Sequence, residues 1–379
     1  MRWYELKRAT LFESARIQHA EDLIFWQGSI GAAQALESLK AIESGNHQDV
    51  TVKWDGSPAV IFGRDADGKF MLTDKSGFTA KGYDGRAKSA KDLEKMLLNR
   101  KLSKGQPVPD SYAEFAGKMR NIYSVFESAV PENHQGYFKG DLLYYNTPTV
   151  KDNKIVFTPN VVTYTVDKDS EIGAEILKSK SGVVVHNEVD LNGNDKAISV
   201  DVDTFFLGSD LLVMPPISMS KAADIDDDMV KETQQLISAN KVLIDKLLDK
   251  ATLTAKKLSD FSNLLYSYAN SKVDSGMQQL GKDFFDWLTN SKVSEVKQKR
   301  LSEHIRENSN GFTALWQIFA QIQMLKDSII NQFDNHDMPI KATIGASDGG
   351  EGYVMTRPWG TFKLVDRAGF TAANRAIER

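Results

Sequence analysis

Strand-like runs on both sides of one long helical stretch constrain this chain more than any other feature of its sequence. Residues 224–335 carry apolar positions at helical spacing, as in Leu243, Ile244, Leu247 and Leu248, with almost no proline or strand signal. Before them, "VTVKW", "AVIFG", "KFMLT", "GYFKGDLLYY", "KIVFTP", "VVTYTV", "GVVVH" and "AISVDV" read as short strands, with helical periodicity at 88–99 and 110–129. "DADG" between the second and third runs is a hairpin signal. After them, "MPIKATIG" and "GYVMTRPWGTFKLVDRAGF" resume the strand texture. A two-stranded remnant is marginal by itself, so the last strands are expected to return to the first sheet.

The pattern predicts an α+β protein. A helical N-terminal segment is expected over 1–48, with periodicity at 11–42, then a sheet domain over 49–217. An all-helical subdomain is inserted over 218–336, and closing strands occupy 337–379. The chain has 379 residues, enough for two domains, and 41% of them are hydrophobic, enough to bury real cores. A formal charge of −4 excludes a generally basic nucleic-acid coat, so any polyanion must meet a local patch. The absence of cysteine removes disulfides, thiolate zinc sites and cysteine nucleophiles, and fits a reducing compartment. The start lacks an apolar signal region, and no stretch approaches the roughly 18 apolar residues of a membrane span. A soluble, cytoplasmic protein without a membrane partner is expected.

Chemistry concentrates first at "VKWDGSPAVIFG", residues 52–63. A lysine is ordinarily protonated and a poor nucleophile, but partial burial and neighbouring positive charge depress its pKa, as an attacking amine requires. Lys53 fits that role, while the Asp-Gly turn presents Asp55 and Gly56 lets the backbone approach closely. The alternative is a solvated lysine at a strand edge followed by an ordinary turn.

The KWDG stretch resembles motif I of the covalent nucleotidyltransferases, the superfamily of polynucleotide ligases and mRNA capping enzymes. Its continuation into "SP" looks most like the KxDGS form of phage-type RNA ligases. Other segments follow in the family's order. "LTDKSG" sits where the family has an arginine-containing segment, with Lys75 in the basic position. "YFKGDLLYY" resembles motif III with Asp141 for the usual glutamate, and "VVTYTV" offers Tyr164 as the aromatic support of the base. "GGEGYVM" looks like motif IV, giving Glu351, and "TFKLVDR" like motif V, giving Lys363. The pattern departs at Val365, where a second basic residue is usual and Arg367 is the nearest substitute, and Lys75 lacks the bidentate fork of arginine.

The resemblance covers residues 50–167 and 340–367 and implies a nucleotidyltransferase domain of antiparallel, ATP-grasp-like sheets. It implies ATP as AMP donor and Mg2+ as ion, with Lys53, Asp55 and Lys363 catalytic. Trp54, Gly56, Lys75, Tyr164 and Glu351 join Lys53 and Lys363 around the nucleotide, and Asp141 and Glu351 take the metal. RNA or DNA ends are the implied partners. The 379 − 367 = 12 residues after Arg367 leave no room for the OB-fold usual in DNA ligases and capping enzymes, which points to RNA joining, inside a host cytoplasm if the gene is a phage's. A DNA ligase, another nucleotidyltransferase or a catalytically degenerate nucleic-acid-binding relative is the alternative. In the helical block, Lys297, Lys299 and Arg300, together with Arg367, are candidate phosphate contacts, against the alternative of a solvated face. Trp316 and Phe319 read as core.

Two other motifs fall away. "GRDADGKF" has the GxxxxGK spacing, but Phe70 follows where a phosphate loop needs Ser or Thr and a helix. The six histidines are scattered, with no i, i+4 pair around a glutamate.

Overall fold

The computed structural model describes residues 18–367 apart from 45–49, 79–86, 103, 197, 207, 209, 216, 220–221, 274–279, 336–339, 345–346, 349–351 and 358. It is a mixed α/β chain that divides into two compact units. The first gathers residues 1–53, 217–337 and 351–379, and the second 54–216 and 338–350. In chain order the strands are β1 (Gln18–His19), β2 (Val50–Val52), β3 (Ala59–Arg64), β4 (Phe70–Asp74), β5 (Gly136–Tyr144), β6 (Val150–Lys151), β7 (Lys154–Phe157) and β8 (Val162–Asp167). They continue with β9 (Ser181–Val189), β10 (Asp195–Lys196), β11 (Leu211–Val213), β12 (Ile340–Ile344), β13 (Ser347–Asp348), β14 (Tyr353–Arg357) and β15 (Gly360–Leu364). No described helix is long and apolar enough to cross a membrane.

The first unit joins helices to a four-stranded sheet of order β1-β15-β14-β2, in which β1 runs parallel to β15 and the other pairs are antiparallel. The helical insertion is therefore not a body of its own. Helix Leu23–Lys40 packs on Asp227–Leu247 and Ser309–Asp334, because its buried Ile24, Phe25, Ala32 and Leu36 need an apolar cover that those helices offer. Gly28, at φ +60°, breaks that helix, and Asp245 recaps it by accepting from the Ser29 N–H and Oγ, each at 2.9 Å. Trp316 and Phe319 are core, as expected, with Phe25 stacked on Phe319 at 5.1 Å.

In the second unit, one sheet has the order β10-β9-β5-β3-β4, with β11 parallel on β9, and a second has β13-β12-β8-β7-β6. Val60, Phe62 and Leu72 of the first sheet meet Leu93, Met119 and Phe126 of helices Ala90–Leu102 and Asp110–Ala129. The "DADG" turn closes the β3–β4 hairpin, where Asp65 accepts from the N–H of Asp67 and Lys69; a strand follows Lys69, so the phosphate-loop reading has no helix to stand on. The closing strands do return to the first strands, but to two sheets: β12 pairs with β8 and β14 with β2.

Candidate functional site

Lys53 leaves the end of β2, and its N–H donates to the carbonyl of Gly352 at 3.0 Å. Gly352 sits at φ +84°, where a Cβ would lie 2.2 Å from the Leu364 carbonyl, so only glycine fits beside the lysine backbone. The register then fixes the faces. Val50, Met355 and Phe362 form one buried row, and Val52, Tyr353 and Leu364 form the next on the same side. Thr51, Val354 and Lys363 alternate to the opposite face. Lys53, two residues beyond Thr51, continues that face, and the parallel β1 sets His19 directly beside Lys363. Burial holds the His19 pKa well below its ordinary value, and the charges of Arg367, Lys326, Lys363 and Lys53 push the same way. The two lysines singled out in the sequence thus converge on one face of one sheet. Glu351 lies outside the described residues.

Behind this face is a buried charge cluster that the sequence reading missed. Lys326 Nζ donates to Glu21 Oε1 at 2.8 Å, both side chains fully enclosed. Arg367 donates to Asp22 at 2.6 Å and to Asn270 at 3.0 Å, and lies 3.3 Å from Glu21. Its assignment as a phosphate contact is thereby corrected: at 3% exposure its charge is spent on internal carboxylates. Burial pushes the Asp22 carboxyl up to about 6 although Arg367 opposes it. Burial acts the same way on Glu21, but Lys326 and then Arg367 outweigh it and hold that carboxyl below its ordinary value. One signal was available: Lys326 interrupts the apolar stripe of Ile322, Leu325 and Ile329, a position where a lysine needs a buried partner.

The other candidates belong to the second unit. Tyr164 is fully buried, and its hydroxyl accepts from the Asp55 N–H at 2.8 Å and donates to the Asp55 carbonyl at 3.2 Å. It braces the turn and is not a platform for a base. Trp54, 4% exposed, packs on Tyr164 at 4.8 Å and beside Phe157, so it too is core. A Cβ on Gly56 would lie 2.3 Å from the Leu142 carbonyl, which explains the glycine of the turn by close approach to β5. Ala59 pairs with Asp141, whose Oδ2 lies 2.9 Å from His186 Nε2. His186 is the extra residue of a bulge, since Gly140 faces Val185 and Lys139 faces Asn187. No group of three or more His, Asp or Glu side chains gathers in a metal-holding arrangement among the described residues. Lys75 is exposed at the start of a short helix, beside an Asp74 that Arg100 grips through both terminal guanidinium nitrogens.

On helix Glu295–Glu307, Lys297 pairs with Asp260, while Lys299 and Arg300 are exposed. Arg300 lines a cavity of about 340 Å³ with Lys256, Lys257, Glu303 and Glu307, a nearly balanced set of charges.

Comparison with known proteins gives a family but no activity. No curated protein matches the chain, and no solved structure does. The chain belongs to the family of unknown function DUF6267, whose sequence model matches residues 15–379.

Proposed function

We propose that this DUF6267 chain is a covalent nucleotidyltransferase of the polynucleotide-ligase type, most like the RNA ligases, with Lys53 as nucleophile. The observation that carries the reading is the shared sheet face. Lys53 and Lys363 are 363 − 53 = 310 residues apart, yet both their charges act on His19. Two ammonium groups on one face disfavour each other's protonation, which favours a reactive amine. They also form a cationic surface suited to a triphosphate. In the proposed first step the neutral Lys53 amine attacks the α-phosphorus of MgATP. A P–N bond forms, the bond to pyrophosphate breaks, and the proton of the attacking nitrogen leaves to solvent. The AMP then passes to a 5′-phosphate end, and a 3′-hydroxyl displaces it as the ends are sealed. Lys363 stabilises charge developing on the phosphoryl oxygens. Magnesium enters with the ATP, as the counter-ion of its phosphates.

A second reading is a relative that binds nucleotide or nucleic acid without covalent chemistry. It is favoured by the burial of Trp54, Tyr164 and Arg367, which removes three of the expected ligand contacts. Incubation with α-labelled ATP and magnesium separates the two. Covalent chemistry predicts protein-bound label that survives denaturation, is absent in Lys53→Ala, and forms about 10²-fold more slowly in Lys363→Ala. Folded wild-type protein that stays unlabelled rules the ligase reading out.

A further inference from the structure

The face that carries the two lysines also holds a histidine. We propose that His19 is a member of this anion-binding face, and that a polyphosphate held by Lys363 and Lys53 draws a proton onto its imidazole. The inference rests on the nucleotide reading for the identity of the anion, a nucleoside triphosphate, but not for the face itself.

The geometry comes first. The parallel pairing of β1 with β15 puts His19 opposite Lys363, so their side chains emerge from one side of the sheet. The backbone that carries the ring is tied to the next turn, since the His19 N–H donates to Asp22 Oδ2 at 3.3 Å. Its Nδ1 is buried, has no hydrogen-bond partner among the described residues and lies 4.0 Å from Glu21 Oε1. An enclosed imidazole nitrogen facing a carboxylate just beyond bonding distance is a place where an added proton would be satisfied.

The charges facing the ring come from every element around it. Its own segment supplies Glu21 and Asp22, helix Ser309–Asp334 supplies Lys326, whose neighbour Asp327 interacts with Glu21, the chain from β15 onward supplies Lys363 and Arg367, and the end of β2 supplies Lys53. Burial keeps the ring neutral, and the cations Arg367, Lys326, Lys363 and Lys53 add to that effect, while Glu21 and Asp22 are already engaged by Lys326 and Arg367. A triphosphate brings negative charge to the lysine side, cancels the cationic part of that effect and favours the protonated ring. The imidazole then takes a proton, and its Nδ1–H turns to Glu21. His19 thereby acts as a charge buffer: neutral beside the cations alone, cationic when phosphate is bound.

The test is calorimetric titration of the full chain at pH 6.5 in buffers of different ionisation enthalpy. The ligands are α,β-methylene ATP, which cannot transfer AMP, and inorganic tripolyphosphate, with His19→Gln and His19→Asn compared against wild type. Taking the difference between proteins cancels the ligand's own titration. Wild type is expected to take up roughly half to one more proton per ligand than either variant. Binding that tightens about tenfold from pH 8 to pH 6 in wild type is expected to lose that dependence in both variants. Unfolding midpoints of the variants show whether they are folded, and the result is read from whichever variant is. Equal proton uptake in wild type and a folded variant overturns the proposal, as does failure of tripolyphosphate to bind. If tripolyphosphate binds with His19-dependent uptake and the ATP analogue does not bind, the charge buffer stands and the nucleotide reading falls.

Discussion

The first unit contains two groups of charged residues that look alike in sequence and differ in what surrounds them. Glu21, Asp22, Lys326 and Arg367 are all buried, each held by at least one partner of opposite sign. On the helix Glu295–Glu307, Lys299 and Arg300 are exposed, and Lys297 is half-buried and paired with Asp260. Removing one member of the buried group strands another in a low-dielectric interior, whereas removing a surface lysine lets water take its place. Charge counted along a sequence therefore says little about what the charge does.

The largest effect expected from this contrast is at Lys326. Lys326→Ala leaves Glu21 enclosed without its closest cation and is predicted to lower stability by about 3–5 kcal/mol in urea unfolding. The double variant Lys326→Met with Glu21→Gln should recover most of that loss. If the single variant costs no more than a surface substitution, the buried pair is not what holds this corner together.

A smaller effect, opposite in sign, is expected at Asp327. Burial pushes its carboxyl up to about 6, against the attraction of Lys326. The folded state therefore binds this proton more tightly than the unfolded chain does. The resulting stabilisation is full below about pH 4 and is lost as pH rises through about 6. Asp327→Asn should stabilise the protein by about 1–2 kcal/mol at pH 7, a figure reduced for partial exposure, and change little at pH 4. A penalty at pH 7 would show that the Lys326 contact outweighs the burial.

The smallest effects belong to the surface helix. Lys297→Ala should shift stability by no more than about 0.5 kcal/mol, despite its ion pair. The double variant Lys299→Ala, Arg300→Ala should leave stability unchanged. If these two touch phosphates, it should also lower the salt slope of RNA binding by about 2. An unaltered slope would leave them as a solvated face.

Local features were legible in the sequence, and contacts between distant segments were not. Alternation and turn chemistry located the β3–β4 hairpin, and the strand texture of "GYVMTRPWGTFKLV" marked the stretch that forms β14 and β15, because both signals lie within a few residues. The helical stretch was visible for the same reason. Strand β1 was hidden: two residues pairing parallel with β15, 362 − 18 = 344 positions later, leave no local periodicity. Arg367 and Tyr164 were misjudged on the same ground. A basic residue after a strand and an aromatic on an alternating strand read as ligand contacts until Asp22 and the Asp55 backbone are known to occupy them. The alliance of Lys53 with Lys363 came from motif order, and the reason for it lies in how β14 bridges β2 and β15.

The central claim is that the Lys53 amine, on a face shared with Lys363, takes AMP from ATP. Intact-mass measurement after incubation with MgATP, followed by peptide mapping, tests it most directly. The account predicts a mass increase of one AMP, carried by the peptide containing Lys53 and removed when pyrophosphate is added back. An unmodified mass, or an adduct on any other residue, would contradict it.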